Sequence, residues 1–204
     1  MYKKPVIVFE GIEGSGKTFH IDFVSKYLKK KNINHIKIRE PGGTVNSEKI
    51  RELILNKKSK FNENTDLLLY LAARSENIKI LKSYHKKRII LLDRFVDSTI
   101  AYQHYGMGVN LALIQRVNKF LLQNFKIDFT FLNIVNTKNM KKRLNQRKRL
   151  NRYDKFNENF YRKVQNGFLK IAKKNRKNYE IIDSNLEIGF NKKKIINKIN
   201  QILR

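Results

Sequence analysis

The sequence predicts an α/β protein in which a five-stranded parallel sheet carries helices on both faces. Three observations carry this. Val6-Ile-Val-Phe-Glu10 and Arg88-Ile-Ile-Leu-Leu-Asp93 are short, nearly all-apolar runs, as expected of strands covered on both sides. Segments of helical periodicity alternate with such runs along the chain, the order that gives parallel strands with crossover helices. A glycine-rich turn, Gly11 to Gly16, joins the first run to the first helix.

The elements follow in order. After the strand at 6–10, a helix is expected from about Lys17 to Lys31, with Ile21, Val24 and Leu28 at helical spacing. His35–Arg39 reads as the second strand, ended by Pro41-Gly42-Gly43. A short helix from Ser47 to Leu55 places Ile50, Leu53 and Ile54 on one face. Asn64 or Thr65 is the expected cap of a longer helix reaching about Ser83. The third strand spans Arg88–Asp93, and helices are expected over about Val96–Tyr102 and Leu111–Asn124. Phe129–Val135 and Tyr179–Asp183 are the fourth and fifth strands. Helices over about Thr137–Arg149, Asn157–Lys177 and Asn191–Leu203 complete the chain. With no internal repeat and no long linker, 204 residues are expected to form a single domain over 1–204, with the lid at about 141–155 as a subregion.

Composition narrows the class. The chain has no cysteine, which excludes disulfides and thiolate metal sites. No apolar run reaches the ~18 residues of a membrane span. Met1 to Pro5 leads straight into a strand, with no signal-peptide core, so a cytoplasmic location is expected. The net charge of +28 admits two readings. Basic stripes bind nucleic acid, but these Lys and Arg are spread along most of the chain. Their diffuseness, with the abundance of Lys, Asn and Ile, favours compositional drift and no specific nucleic-acid partner.

Gly11-Ile12-Glu13-Gly14-Ser15-Gly16-Lys17-Thr18 matches G-x-x-x-x-G-K-[ST] between an expected strand and an expected helix, the context that motif requires. Backbone N–H groups of such a loop converge on phosphates, and the helix N-terminus adds partial positive charge. Lys17 is placed to reach the β- and γ-phosphates of ATP, and the Thr18 hydroxyl to ligate Mg²⁺. Asp93, ending an apolar strand, is the expected second anchor for Mg²⁺, through water. Arg94 follows it where an ATPase motor would commonly place a glutamate. An arginine there grips a second phosphate, which favours transfer between two nucleotides over hydrolysis.

Phe9 to Thr18, Arg39-Glu-Pro-Gly-Gly-Thr44, Ala72-Ala-Arg74, Asp93-Arg94 and Ala101-Tyr-Gln103 stand in the order and spacing of bacterial thymidylate kinases. The resemblance runs from Val6 to about Ile182. It implies the P-loop nucleoside monophosphate kinase fold with a small lid, a homodimer, and transfer of the γ-phosphate of ATP to dTMP with Mg²⁺ as cofactor. It implies that Arg39 and Arg94 bind the dTMP phosphate and that Pro41, often cis in this family, shapes the pocket. By the same resemblance Tyr70 stacks on thymine and Arg74 donates to its O4. Ser98 and Thr99 meet the base edge, Tyr102 crowds C2′ of the sugar, Gln103 lies near sugar or base, and Glu13 orients the sugar or a water.

The lid departs from the family pattern. Leu150-Asn-Arg-Tyr-Asp154 stands where Leu-Asp-Arg-x-Glu is common, so Asn151 lacks a charge and Asp154 is one methylene short. Because Ile12 to Ser15 contain no basic residue, the resemblance puts the catalytic arginine in the lid. Arg152 is the first candidate and Arg147 the next, with Arg149 also in the cluster. Two other readings stay open: a kinase for another nucleotide, and a basic P-loop ATPase acting on nucleic acid.

Overall fold

The computed structural model describes residues 4–147 and 150–203. Five parallel strands form one sheet in the order β2-β3-β1-β4-β5: β1 Val6–Glu10, β2 His35–Arg39, β3 Ile89–Asp93, β4 Phe129–Ile134 and β5 Tyr179–Asp183. Strand alternation divides the core. Ile7 and Phe9 of β1 face α1 (Lys17–Lys30) and α8 (Ile188–Ile202), packing with Ile21, Val24, Ile195 and Ile199. Val6 and Val8 point the other way, against Ile78 and Leu81 of α3 (Glu63–Tyr84). A third cluster joins α7 (Glu158–Lys174) to Tyr102 and Tyr153 beyond the strand ends.

Two expectations are corrected. The cap of α3 is Asn62, whose side chain accepts from the Thr65 amide, not Asn64 or Thr65. The helix expected through Tyr102 is α-helical only over α4 (Val96–Thr99) and continues as a π-helix, Ile100–Gly106. Sequence periodicity does not distinguish these, because the extra residue per turn is stabilised by packing. A Cβ on Gly106 would lie 2.7 Å from Phe160 of α7, so α7 approaches where only glycine fits. π-Helical turns are scarce and concentrate at functional sites; this one carries Tyr102 and Gln103.

The remaining helices are α2 (Val45–Leu55), α5 (Leu111–Leu122) and α6 (Thr137–Asn145). No described helix is long and apolar enough to cross a membrane. All five strands run the same way, so the loops after β1, β2, β3, β4 and β5 gather at one edge of the sheet. Open parallel sheets bind ligands at that edge.

Candidate active site

The turn after β1 curls as the glycines require. Gly11 has φ 139°, and a Cβ there would lie 2.2 Å from the Asn133 carbonyl oxygen of β4. The Lys17 ammonium donates to the Ile12 carbonyl at 3.0 Å. Burial pushes its pKa down to about 8, with Arg94 adding to the shift and Asp93, Glu13 and Glu10 opposing it. Thr18 Oγ1 donates to Asp93 Oδ2 at 3.2 Å. One oxygen comes from the first turn of α1 and the other from the end of β3, and the pair fits a hard divalent cation. Mg²⁺ takes one or two protein oxygens and completes its shell with phosphate and water.

Two cavities flank this cradle. The first, about 760 Å³ counted out to its mouth, is lined by Glu13, Arg39, Pro41, Tyr70, Asp93, Arg94, Ser98, Tyr102 and Gln103 among others. The second, about 870 Å³, is lined by Gly14, Gly16, His20, Arg143, Ser184 and Leu186 among others. Lys17, Thr18 and Arg147 line both. The two spaces therefore meet at an ammonium, a hydroxyl and a guanidinium, with room on each side for a ligand of nucleotide size.

In the first cavity Arg94 sits at φ 67° and is bonded three ways. It donates to the Gly11 carbonyl at 2.9 Å, to Ser98 Oγ at 3.1 Å and to Glu13 Oε1 at 2.7 Å. Burial pushes Glu13 upward, but Arg94, Lys17 and the Tyr102 hydroxyl outweigh it and hold the carboxyl below its usual range. Tyr102 donates to Glu13 Oε2, and its ring lies 5.1 Å from the Arg94 guanidinium. Tyr70 and Tyr102 each meet the ring of Tyr153 edge-on. The Glu40–Pro41 peptide is cis, as the resemblance implied. Arg39 lines the cleft while paired with Glu48 at 2.7 Å.

Two residues expected at the base edge stand behind the wall. Arg74, 2% exposed, does not line the cleft: it donates to Glu40 at 2.8 Å, Asn118 at 2.7 Å and Thr99 at 3.0 Å. Three of its five N–H groups are thus engaged, and Thr99 is buried beside it. The lid arginines exchange places. Arg152, the first candidate, lies away from the cleft, its guanidinium paired with buried Asp66 and donating to the Ile54 carbonyl at 3.1 Å. Arg147 reaches both cavities and is held by Asp154 at 2.6 Å. The shorter Asp154 still spans from Arg147 to the Asn151 amide at 2.8 Å. Asn151, without its charge, accepts from the Tyr153 amide at 2.8 Å. Arg149 lies outside the described residues.

Sequence reasoning missed Arg51 and Arg143. Arg51 lines the first cavity and donates to the Pro41 carbonyl at 2.7 Å. It follows Ile50 on α2, and nothing in the pattern separates it from a solvated arginine. Arg143 bonds the carbonyls of Gly14 at 2.8 Å and Ser184 at 2.6 Å, tying α6 to the cradle and to the β5 loop. It had a signal: it shares a helix face with buried Met140 and Leu144.

The sequence profile of the family described as thymidylate kinase matches residues 9–195. The chain belongs to the thymidylate kinase family. A thymidylate kinase of Thermosipho africanus is 40% identical over 184 residues, covering 89% of this chain and 90% of its own. One from a Thermoanaerobacter species is 35% identical over 204 residues, covering 98% of this chain and 100% of its own. The crystal structure of thymidylate kinase from Ehrlichia chaffeensis superposes with a TM-score of 0.78 at 33% identity, over 98% of this chain and 99% of that one. Membership in the thymidylate kinase family makes the chain a nucleotide-binding kinase of nucleotide biosynthesis and accounts for two cavities sharing one cradle.

Proposed function

We propose that this chain transfers the γ-phosphate of ATP to dTMP, giving ADP and dTDP, a cytoplasmic step toward dTTP for DNA replication. The observation that carries this reading is the meeting of two nucleotide-sized cavities at Lys17, Thr18 and Arg147. A phosphate oxygen of the acceptor attacks the γ-phosphorus, and the bond to the β,γ-bridging oxygen breaks. The acceptor phosphate is already anionic near pH 7, so no general base is assigned. The protein's task is alignment and neutralisation of a loose, charged transition state. Arg94, with Arg39 and Arg51 beside it, seats the acceptor phosphate; Lys17 and the loop amides seat the donor. Arg147 reaches the transferring group from the lid side, and a planar guanidinium suits it to bridge donor and acceptor oxygens. Tyr70, Tyr102 and Tyr153 wall the base and sugar. Thr18 and Asp93 would hold Mg²⁺, which would supply positive charge to offset that of the phosphates.

A coupled ADP-release assay across nucleoside monophosphates tests this. The expected result is a kcat/KM highest for dTMP; a higher value for another acceptor, or ADP release stimulated by DNA without any acceptor, overturns it. We also propose a homodimer. Leu68 of α3 and Leu113 and Phe120 of α5 leave large apolar side chains exposed on two helices that pack together, and a single species of monomer mass in sedimentation at micromolar concentration refutes that assembly.

A further inference from the structure

The carboxylate of Glu10 has no place in the transfer just described, yet it is completely buried at the end of β1. Burying a carboxylate is costly unless strong partners hold it. Its partners all belong to the turn that carries Arg94. Oε1 accepts from the Phe95 amide at 2.8 Å and the Ser98 amide at 3.2 Å, and Oε2 accepts from the Ser98 hydroxyl at 2.6 Å. Phe95 supplies no side-chain cap for α4, so a residue from another strand satisfies these amides. Arg94 itself occupies the left-handed region, φ 67°, a conformation that persists in a non-glycine residue only where the surroundings impose it. The Arg94 amide is held by the Phe9 carbonyl at 3.0 Å, one residue before Glu10.

The hydroxyl of Ser98 connects the two charges. It gives its proton to Glu10 and accepts from Arg94 Nη1 at 3.1 Å. The carboxylate thus sets the direction of the Ser98 hydroxyl, which then presents its lone pairs to the guanidinium. Asp97, Arg94 and Lys17 are the charged groups around it, and Tyr179 of β5 donates to Asp97 on the far side. Burial and Asp97 raise the Glu10 pKa to about 7, while the Ser98 hydroxyl, Arg94 and the Phe95 amide oppose the rise.

We propose that Glu10 is a positioning residue for phosphoryl transfer: it clamps the strained Asp93–Ser98 turn and, through Ser98, aims the Arg94 guanidinium into the acceptor cavity. This rests on the phosphotransfer reading above. The parent's own turnover tests that reading, and variant-to-parent ratios with whichever monophosphate is the best acceptor test Glu10. Three variants separate shape from charge. Glu10→Gln keeps the volume and an acceptor for the two amides but reverses the polarity offered to Ser98. Ser98→Ala cuts the link and leaves the amides bonded to Glu10. Glu10→Ala removes everything.

The expected results are kcat lowered about tenfold in Glu10→Gln and Ser98→Ala and about a hundredfold in Glu10→Ala. KM for the acceptor should rise while KM for ATP holds within about twofold. The double variant Glu10→Gln, Ser98→Ala should be little worse than either single one, because both break one chain of contacts. If Glu10→Ala does not fold, the two milder variants and their double carry the test. The proposal is overturned if folded variants lower only the melting temperature and keep kcat and acceptor KM within twofold. It is equally overturned if the two single effects multiply, or if KM for ATP rises as much as KM for the acceptor.

Discussion

Replacing Arg147 and Arg152 separately by alanine should give opposite kinds of damage. Arg152 is 14% exposed and its partner Asp66 is 1% exposed. Asp66 also accepts from the Tyr153 hydroxyl and from Gln103 Nε2 at 3.2 Å, and the Arg152 guanidinium lies over the Phe61 ring at 5.2 Å. Removing Arg152 leaves a carboxylate buried without its cation, a change that typically costs ~3–5 kcal/mol. At ~2–4 °C per kcal/mol for a chain of this size, the melting temperature should fall by about 6–20 °C. Activity of the molecules still folded should fall by less than about tenfold, since the guanidinium lies away from the reacting groups. Arg147 is 38% exposed while its partner Asp154 is 0% exposed, so solvent screens the pair from the arginine side only; the Asn151 amide still holds the carboxylate after the arginine is lost, and the melting shift should be smaller than that of Arg152→Ala. An arginine that meets the transition state is worth ~10³-fold or more in kcat, roughly 4 kcal/mol. Its loss should lower kcat more than it raises KM. Thermal melts by circular dichroism and a coupled ADP-release assay at about 15 °C measure both quantities. The reasoning fails if Arg147→Ala keeps kcat within a few-fold while folded Arg152→Ala loses ~10³-fold.

Other outcomes follow from the same geometry. Tyr102→Phe keeps the ring and loses the hydroxyl on Glu13, whereas Tyr102→Ala loses both. If the ring crowds C2′, only the alanine variant should narrow the kcat/KM gap between 2′-deoxy and 2′-hydroxy acceptors; equal behaviour of the two assigns sugar sensing to the hydroxyl instead. Gly106→Ala would set a Cβ 2.7 Å from Phe160 and 3.0 Å from Val164, and should destabilise by ~1–3 kcal/mol in denaturant titration despite alanine's better helix propensity. A variant as stable as the parent would show that α7 moves aside freely. Because the +28 charge is diffuse, any binding to random duplex DNA should collapse between about 50 and 200 mM salt. Retention near 150 mM in a filter-binding assay argues for a dedicated nucleic-acid surface.

The sequence by itself determined the sheet and the phosphate cradle. Strands β1, β2 and β5 have the bounds read from the sequence, β1 from an apolar run, and Gly11 to Thr18 opens α1 as the motif requires. Both are local: a buried parallel strand must be apolar on both faces, and a phosphate loop is built by consecutive backbone amides. The pairing order β2-β3-β1-β4-β5 joins residues far apart in sequence, and tertiary structure decided it. It also decided which arginine faces the cleft. Arg147 and Arg152 have the same chemistry five positions apart, and which one lines the cavities depends on Asp66, some eighty residues upstream, which draws Arg152 away. Nor could periodicity reveal the π-helix under Tyr102, since α7 stabilises that extra residue. Glu10 likewise reads as the end of an apolar strand, and only the fold brings the Arg94 turn against it.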